Sequence, residues 1–238
     1  MKTRSAAILF VAAVLLAGCA GSVSVAPAAF TGANAHREGL SLDPAANGEE
    51  ALYLGIVDGL IKQSRQGAAL AFLDSYRQTG QALSPRYWLL RGDALVGVHR
   101  NVEAIDAYSK LRETALAPRG WNGQGKIAAE TGDWISAEVD FHKAVEGDPA
   151  NADFINNLAF AELHIDRAAN AASWLQQAHE LEPSSDRILT NLVIALTATG
   201  DTAHANSIIA EIGDSARREA MRSAAKSVLA TLNTKGKS

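Results

Sequence analysis

Residues 121–149 read WNGQGKIAAETGDWISAEVDFHKAVEGDP, and this stretch decides the fold. Small residues stand where two helices would have to touch: Gly125, Ala137 and Ala144. Large apolar residues stand where they would fill the space between the helices, and we expect Trp121 and Phe141 to be core residues. Gly132-Asp133 supplies a turn, and Pro149 closes the unit because proline is tolerated at a helix start but not in its interior. The stretch therefore predicts two antiparallel helices.

The pattern recurs along the chain with a period of 34 residues. One step forward from Ala137, Phe141 and Ala144 gives Ala171, Leu175 and Ala178, and a second step gives Ala205, Ile209 and Ile212. A step back of 33 residues from Trp121, Gly125, Ala137 and Phe141 gives Trp88, Gly92, Ala104 and Tyr108. This self-similarity resembles the tetratricopeptide-repeat (TPR) signature. The resemblance implies an all-α TPR solenoid with four repeats over 85–213, at 85–117, 118–151, 152–185 and 186–213.

The flanking segments are predicted to close the solenoid. Residues 49–84 predict a degenerate N-terminal helical repeat, since an end repeat packs on one side only. Ser84-Pro85 is typical of a helix start, and Asp153 is expected to cap a later helix. Residues 214–238 predict an amphipathic capping helix and tail; the alternative is a basic helix that touches a membrane or an acidic partner.

The N-terminus predicts export and lipidation. Residues 1–18 combine a basic start with a short apolar run, which is typical of a secretory signal. Leu16-Ala17-Gly18-Cys19 resembles a bacterial lipobox, which implies that Cys19 is lipidated; the alternative is an ordinary signal with an incidental cysteine. Residues 19–48 predict a lipidated N-terminus and a flexible linker. By resemblance to lipoprotein sorting, Ala20 implies the outer membrane, facing the periplasm.

The composition argues against several functional classes. The chain has 22 basic and 26 acidic residues, so no global basic field would recruit nucleic acid. Its six histidines are scattered and its one cysteine has no second thiol for zinc. We interpret carboxylates such as Glu103, Glu130, Glu138 and Glu162 as solvated helix faces. We therefore expect no enzymatic activity, no cofactor and no metal.

The first helix of each unit carries the binding candidates, because that helix lines the concave face in TPR proteins. The candidates are Asn122, Lys126, Asn156, Asn157, Phe160, His164, Thr190 and Asn191. In peptide-binding TPR proteins, asparagines in this row hydrogen-bond the backbone of an extended ligand, since one amide both donates and accepts. The other reading is that these amides bond neighbouring helices. Only Arg119, Lys126 and Arg187 are candidates for a carboxylate clamp.

Several short sequence segments of the repeats resemble those of the tight-adherence (Tad, or Flp) pilus assembly lipoproteins, the TadD family. They are YWLLRGDAL at 87–95, AIDAY at 104–108, NNLA at 156–159 and NLVIAL at 191–196. The resemblance implies a pilotin-like adaptor whose partners are a secretin or other pilus-assembly components. The alternatives are a TPR lipoprotein of type IV pilus or β-barrel assembly, and an envelope accessory factor for cell-wall or polysaccharide export.

Overall fold

The computed structural model describes residues 48–235, and every regular element in that range is an α-helix. The predicted all-α solenoid is therefore confirmed. The signal, the lipobox with Cys19 and most of the linker lie outside the described residues. The helices are α1 (Gly48–Lys62), α2 (Gln66–Gln78), α3 (Pro85–Val96), α4 (Asn101–Ser109), α5 (Ala117–Glu130), α6 (Trp134–Gly147), α7 (Ala152–His164), α8 (Ala168–Leu181), α9 (Asp186–Ala198), α10 (Thr202–Glu211) and α11 (Ser215–Lys235).

The helices form antiparallel pairs that stack in two layers. Each odd-numbered helix from α1 to α9 is the first of a pair and packs on the even-numbered helix that follows it. Successive first helices contact one another along the stack, whereas successive second helices make no comparable contact in residues 48–235. The first helices are therefore the more closely spaced layer, as expected for the inner side of a curved solenoid.

Each turn within a pair contains one residue in the left-handed backbone region. These residues are Ser64, His99, Gly132, Asp166 and Gly200, with φ between 57° and 88°. Such a φ strains most L-residues, and only two of the five positions use glycine. The turn of α1 and α2 has the same geometry as the others, although its sequence hardly resembles a repeat.

In the four helix pairs from α3 to α10, a smaller residue on the first helix lies opposite a larger residue on the second. A methyl group added at Gly92 would overlap the ring of Tyr108, and one at Gly125 would lie 2.7 Å from the ring of Phe141. The equivalent positions in the next two pairs hold Ala159 with Leu175 and then Val193 with Ile209. All four are buried. Along the chain the first-helix residue thus changes from glycine to alanine and valine, and its partner changes from an aromatic to an aliphatic side chain.

Tyr108 is held between two first helices. Its ring lies against Gly92 of α3 and also against Gly123 of α5, where an added methyl group would come within 2.5 Å of the ring. The Tyr108 hydroxyl thereby reaches Asp93 and donates a hydrogen bond of 2.7 Å to its carboxylate. The two glycines are needed because the ring occupies the volume of both missing side chains.

Two local predictions are wrong. Phe141 is fully buried, but Trp121 is only partly buried, with Arg112 and Lys143 over its ring. The cations stabilise the exposed indole through its negative face. The cap of α7 is Asn151, whose side chain accepts from the Phe154 amide, and Asp153 instead lies in the first turn.

A capped helix begins the first clear repeat, and α11 packs on the last one. Ser84 caps α3 by accepting a hydrogen bond from the Tyr87 amide. At the other end α11 packs on α9 and α10, as the first helix of another repeat would. Its buried residues are Met221 and Ala225, and Arg217 anchors it to Asp186 at the start of α9.

The close packing around Tyr108 predicts opposite effects on the free energy of unfolding for two Gly→Ala changes in helices. Gly123→Ala should lower the free energy of unfolding by about 1–3 kcal/mol, because the ring is trapped and cannot move aside. Gly59→Ala is the matched control: nothing lies within 4 Å of its added methyl group, so it should stabilise by roughly 0.5–1 kcal/mol. Urea unfolding measures both, and equal effects would contradict the packing of Tyr108.

Candidate protein-binding surface

The predicted binding residues lie on α5, α7 and α9, and most of their side chains are buried. Lys126 and His164 are partly exposed. The buried ones, at 8% exposure or less, are Asn122, Asn156, Asn157, Phe160, Thr190 and Asn191. Buried amides need hydrogen-bond partners, so the question is which partners they have.

The asparagines form two equivalent rungs between neighbouring first helices. Asn157 donates through Nδ2 to Oδ1 of Asn122 over 2.8 Å, which joins α7 to α5. Asn191 donates through Nδ2 to Oδ1 of Asn156 over 2.9 Å, which joins α9 to α7. Both rungs span 35 residues in the chain, one more than the repeat. They therefore repeat the same contact one unit further along.

The asparagine pairs do not continue beyond α5 and α9, because the equivalent positions hold no amide side chains. The equivalent pair between α3 and α5 is Leu89 with Gly123, and the pair between α9 and α11 is Thr190 with Ala225. Thr190 bonds instead to the Asp186 carbonyl in its own helix, over 2.6 Å. The amide row is thus confined, among residues 48–235, to the three central first helices.

An arginine from α9 extends one of the rungs. Arg187 donates through Nη1 to Oδ1 of Asn157 over 3.2 Å, and its Nη2 forms an ion pair with Asp153 of α7. Burial lowers the pKa of the Arg187 guanidinium, while the Asp153 charge raises it. This basic candidate for a carboxylate clamp is therefore already engaged by α7.

In the pair formed by Asn191 and Asn156, each side chain keeps one polar atom without a partner. Asn156 Nδ2 and Asn191 Oδ1 are buried and have no hydrogen-bond partner in the structure. One is a donor and the other an acceptor, which together match the acceptor and donor of a peptide group. The asparagines thus do hydrogen-bond neighbouring helices, as one of the two interpretations expected. That they also bind a peptide stays a prediction.

A second polar pair lies on the same layer, towards the N-terminal end. Burial raises the pKa of the Asp93 carboxyl, while the Tyr108 hydrogen bond and the charges of Lys126 and Arg119 act to lower it. The nearby Asp58 charge raises it further. Burial and the Asp93 charge also raise the pKa of the Tyr108 hydroxyl well above its ordinary value.

Phe160 and His164 belong to an aromatic cluster with α6. The His164 imidazole stacks on the Trp134 indole with ring centres 3.6 Å apart and planes 5° apart. Phe160 meets the Trp134 ring edge-on at 5.9 Å. Phe160 and His164 are two of the predicted binding residues, and the structure places both against Trp134 of α6.

The interpretation of Glu162 as a solvated residue is wrong. Its side chain, on α7, is 4% exposed, since α7 is enclosed on most sides. Burial raises the pKa of this carboxyl, and the nearby Glu138 charge raises it further. A sequence signal was available: Glu162 lies between Ala161 and Leu163 in a helix where most of the other positions are apolar.

Within residues 48–235, no helix is both long and apolar enough to cross a bilayer. The same residues contain no group of three histidine, cysteine or acidic side chains placed to hold a metal ion.

The asparagine rung predicts a measurable coupling. Asn157→Ala should cost about 1–3 kcal/mol of unfolding free energy, because it leaves the Asn122 acceptor and an Arg187 donor buried without their partner. In a double-mutant cycle with Asn122→Ala, the two changes should be coupled by about 0.5–3 kcal/mol. The exposed Asn206 of α10 supplies the control, Asn206→Ala. Strict additivity would show that the rung contributes nothing.

Asp93 predicts a pH dependence. Since its pKa is higher in the folded state, its contribution to stability is full below the unfolded pKa and is lost as pH rises through the folded pKa. Asp93→Asn keeps an acceptor for Tyr108 but stays neutral. The variant should therefore gain stability relative to the parent as pH rises from about 4 to 7 in urea titrations. A stability difference between variant and parent that does not change with pH would contradict it.

The chain is similar to known TPR proteins. No protein-family model matches it. A curated TPR repeat-containing protein of Pseudomonas aeruginosa is 28% identical over 171 residues, which cover 71% of this chain and 67% of the relative.

Solved structures show the same fold. MamA of Desulfovibrio magneticus RS-1 superposes with a TM-score of 0.57 at 18% identity, covering 70% of this chain and 94% of MamA. A thermophilic TPR protein of Thermus thermophilus gives 0.56 at 17% identity, covering 74% of this chain and 98% of that protein. With its own repeat spacing and paired helices, these likenesses show that the chain has a tetratricopeptide-repeat fold.

Proposed function

We propose that the protein is a non-enzymatic adaptor that binds protein partners on the layer of its first helices. The observation that carries this proposal is the amide row across α5, α7 and α9, which repeats at the period of the solenoid. An extended peptide also presents donors and acceptors at regular intervals, so a periodic row of amides is complementary to it.

The binding mode would use the atoms that the rungs leave open. Asn156 Nδ2 can donate to a peptide carbonyl, and Asn191 Oδ1 can accept from a peptide amide. Lys126 and His164 are partly exposed on the same helices and would contact ligand side chains. Because Asn156 and Asn191 are fully buried, docking requires that the ligand enter between the first helices.

We propose further that lipidated Cys19 anchors the adaptor in the outer membrane, facing the periplasm. Its support is the lipobox-like LAGC at 16–19, together with the position of the chain's single cysteine. Several acyl chains together hold a protein at a membrane far more firmly than one, at about 0.8 kcal/mol per buried methylene.

The proposed client is a secretin or another component of a Tad/Flp-type pilus machine. Its support is the likeness of the repeat segments at 87–95, 104–108, 156–159 and 191–196 to the TadD family. Type IV pilus or β-barrel assembly, and cell-wall or polysaccharide export, are the alternative settings for the same adaptor.

Site-directed photo-crosslinking in cells tests the client and the surface together. A photo-reactive residue at Lys126, on the first-helix layer, should capture a secretin or pilus-assembly protein, and one at exposed Asp106 of α4 should not. Capture of barrel-assembly or polysaccharide-export proteins at Lys126 would discard the pilus assignment. Equal capture at both positions would overturn the proposed surface.

Cys19→Ser tests the anchor separately. We expect the variant to leave the membrane fraction and to lose function, because its acyl chains are gone. Its repeats should still fold, since the substitution changes no residue of α1 to α11, and circular dichroism of the purified domain checks this. Membrane retention equal to that of the parent would contradict the lipobox assignment.

A further inference from the structure

A cleft opens on the opposite side of the molecule from the amide row, between the second helices α6 and α8. It has a volume of about 430 Å³ and is open to solvent. Glu138 and His142 of α6 form one wall and Trp174 of α8 the other, while Glu162 of α7 lies at the floor. The lining is completed by Arg167, Asn170 and Ser173.

The Glu162 carboxylate lacks part of its hydrogen bonding. Its side chain is 4% exposed, and its Oε2 has no hydrogen-bond partner in the structure. The side chains of Asn170 and Trp174 and the charge of Arg167 favour the ionised form of the carboxylate. A buried carboxylate that keeps an oxygen without a hydrogen bond is still costly unless something else compensates it.

The charged groups around the cleft are mostly occupied elsewhere. Arg167 forms an ion pair with Glu138 through Nη1 over 3.2 Å. His142 contacts Glu146 of its own helix over 3.2 Å. Glu162 is the carboxylate in the cleft that keeps a buried oxygen without a hydrogen-bond partner, and a ligand that supplied a cation there would complete it.

We propose that this cleft binds the cationic side chain of an arginine or lysine in an extended segment of a partner protein. The cation would meet Glu162 Oε2 at the floor, and its stem would lie along the Trp174 indole, where a cation is also attracted to the ring. The proposal concerns a surface distinct from the first-helix layer and does not depend on it.

The rim of the cleft fits such a segment. Ile135 and Val139 are 70% and 44% exposed, and they lie on the same face of α6 as Glu138 and His142. Exposed apolar residues beside a polar cleft are a feature of docking surfaces. A segment with an apolar residue a few positions from its basic residue would contact both.

The binding test uses short peptides and NMR on the folded repeat protein. The probes are acetyl-Leu-Gly-Arg-Gly-Leu-amide, its lysine counterpart, and its citrulline counterpart, which keeps the shape of arginine but not the charge. We expect the arginine or lysine peptide to shift the Trp174 indole resonance, assigned with Trp174→Phe, and the citrulline peptide to bind at least tenfold more weakly. Equal binding of charged and neutral peptides, or binding of none, would overturn the proposal.

Two variants distinguish a binding role from a structural role. Glu162→Gln should melt no lower than the parent at pH 7, because it removes a buried charge, yet it should weaken the charged peptide at least tenfold. Glu211→Gln, at an exposed position on α10, should change neither property. A large loss of thermal stability in Glu162→Gln, or unchanged peptide affinity, would assign Glu162 to the fold instead.

Asn170→Lys tests the same site without removing the carboxylate. Asn170 is exposed at the start of α8, so a lysine there is compatible with the helix and brings an ammonium group to Glu162. This internal cation should block the charged peptides. Undiminished binding to the variant would contradict the assignment of Glu162 as the site of the cation.

Discussion

The close contact between a glycine on a first helix and an aromatic ring on its partner, as at Gly92 with Tyr108 and Gly125 with Phe141, is the constraint on which this structure depends. At Gly125 and Phe141 an added methyl group would lie 2.7 Å from the ring, so the two helices could not keep their spacing with any larger residue. Interiors are close-packed, and such a contact fixes the position of one helix on the other. The later pairs hold Ala159 with Leu175 and Val193 with Ile209 at the equivalent repeat positions.

The polar features follow from that repeated spacing. Two asparagine rungs can be equivalent only if α5, α7 and α9 are related by the same step, and their hydrogen bonds of 2.8 and 2.9 Å show that they are. The Tyr108 ring reaches Asp93 for a related reason, since Gly92 and Gly123 leave room for it between two first helices. The two layers then carry different chemistry: amides on the first helices, and a cleft with a buried carboxylate between second helices.

Much of the fold could be predicted from the sequence, because the repeated pattern of small and large residues marks the helix pairs. Small and large residues at a 34-residue period are a local pattern that the packing obeys, so the helix pairs could be predicted from Phe141 and its equivalents. The candidate binding surface was harder to predict from the sequence. The asparagine row was visible in the sequence, but partners 35 residues apart depend on how helices rotate against each other, and periodicity does not specify that. Trp121 and Glu162 were misplaced for one reason: residue type predicts burial poorly when neighbouring helices decide it.

The most direct test of the central packing constraint converts one repeat pair into the next. Gly125→Ala and Phe141→Leu, made singly, should each destabilise the protein, the first by overpacking and the second by leaving a cavity. Together they recreate the pair that the chain itself uses at Ala159 and Leu175. Urea unfolding of the double-mutant cycle should show a favourable coupling of about 1 kcal/mol or more, so that the double variant is more stable than the sum of the single losses predicts. Additive losses would contradict the account.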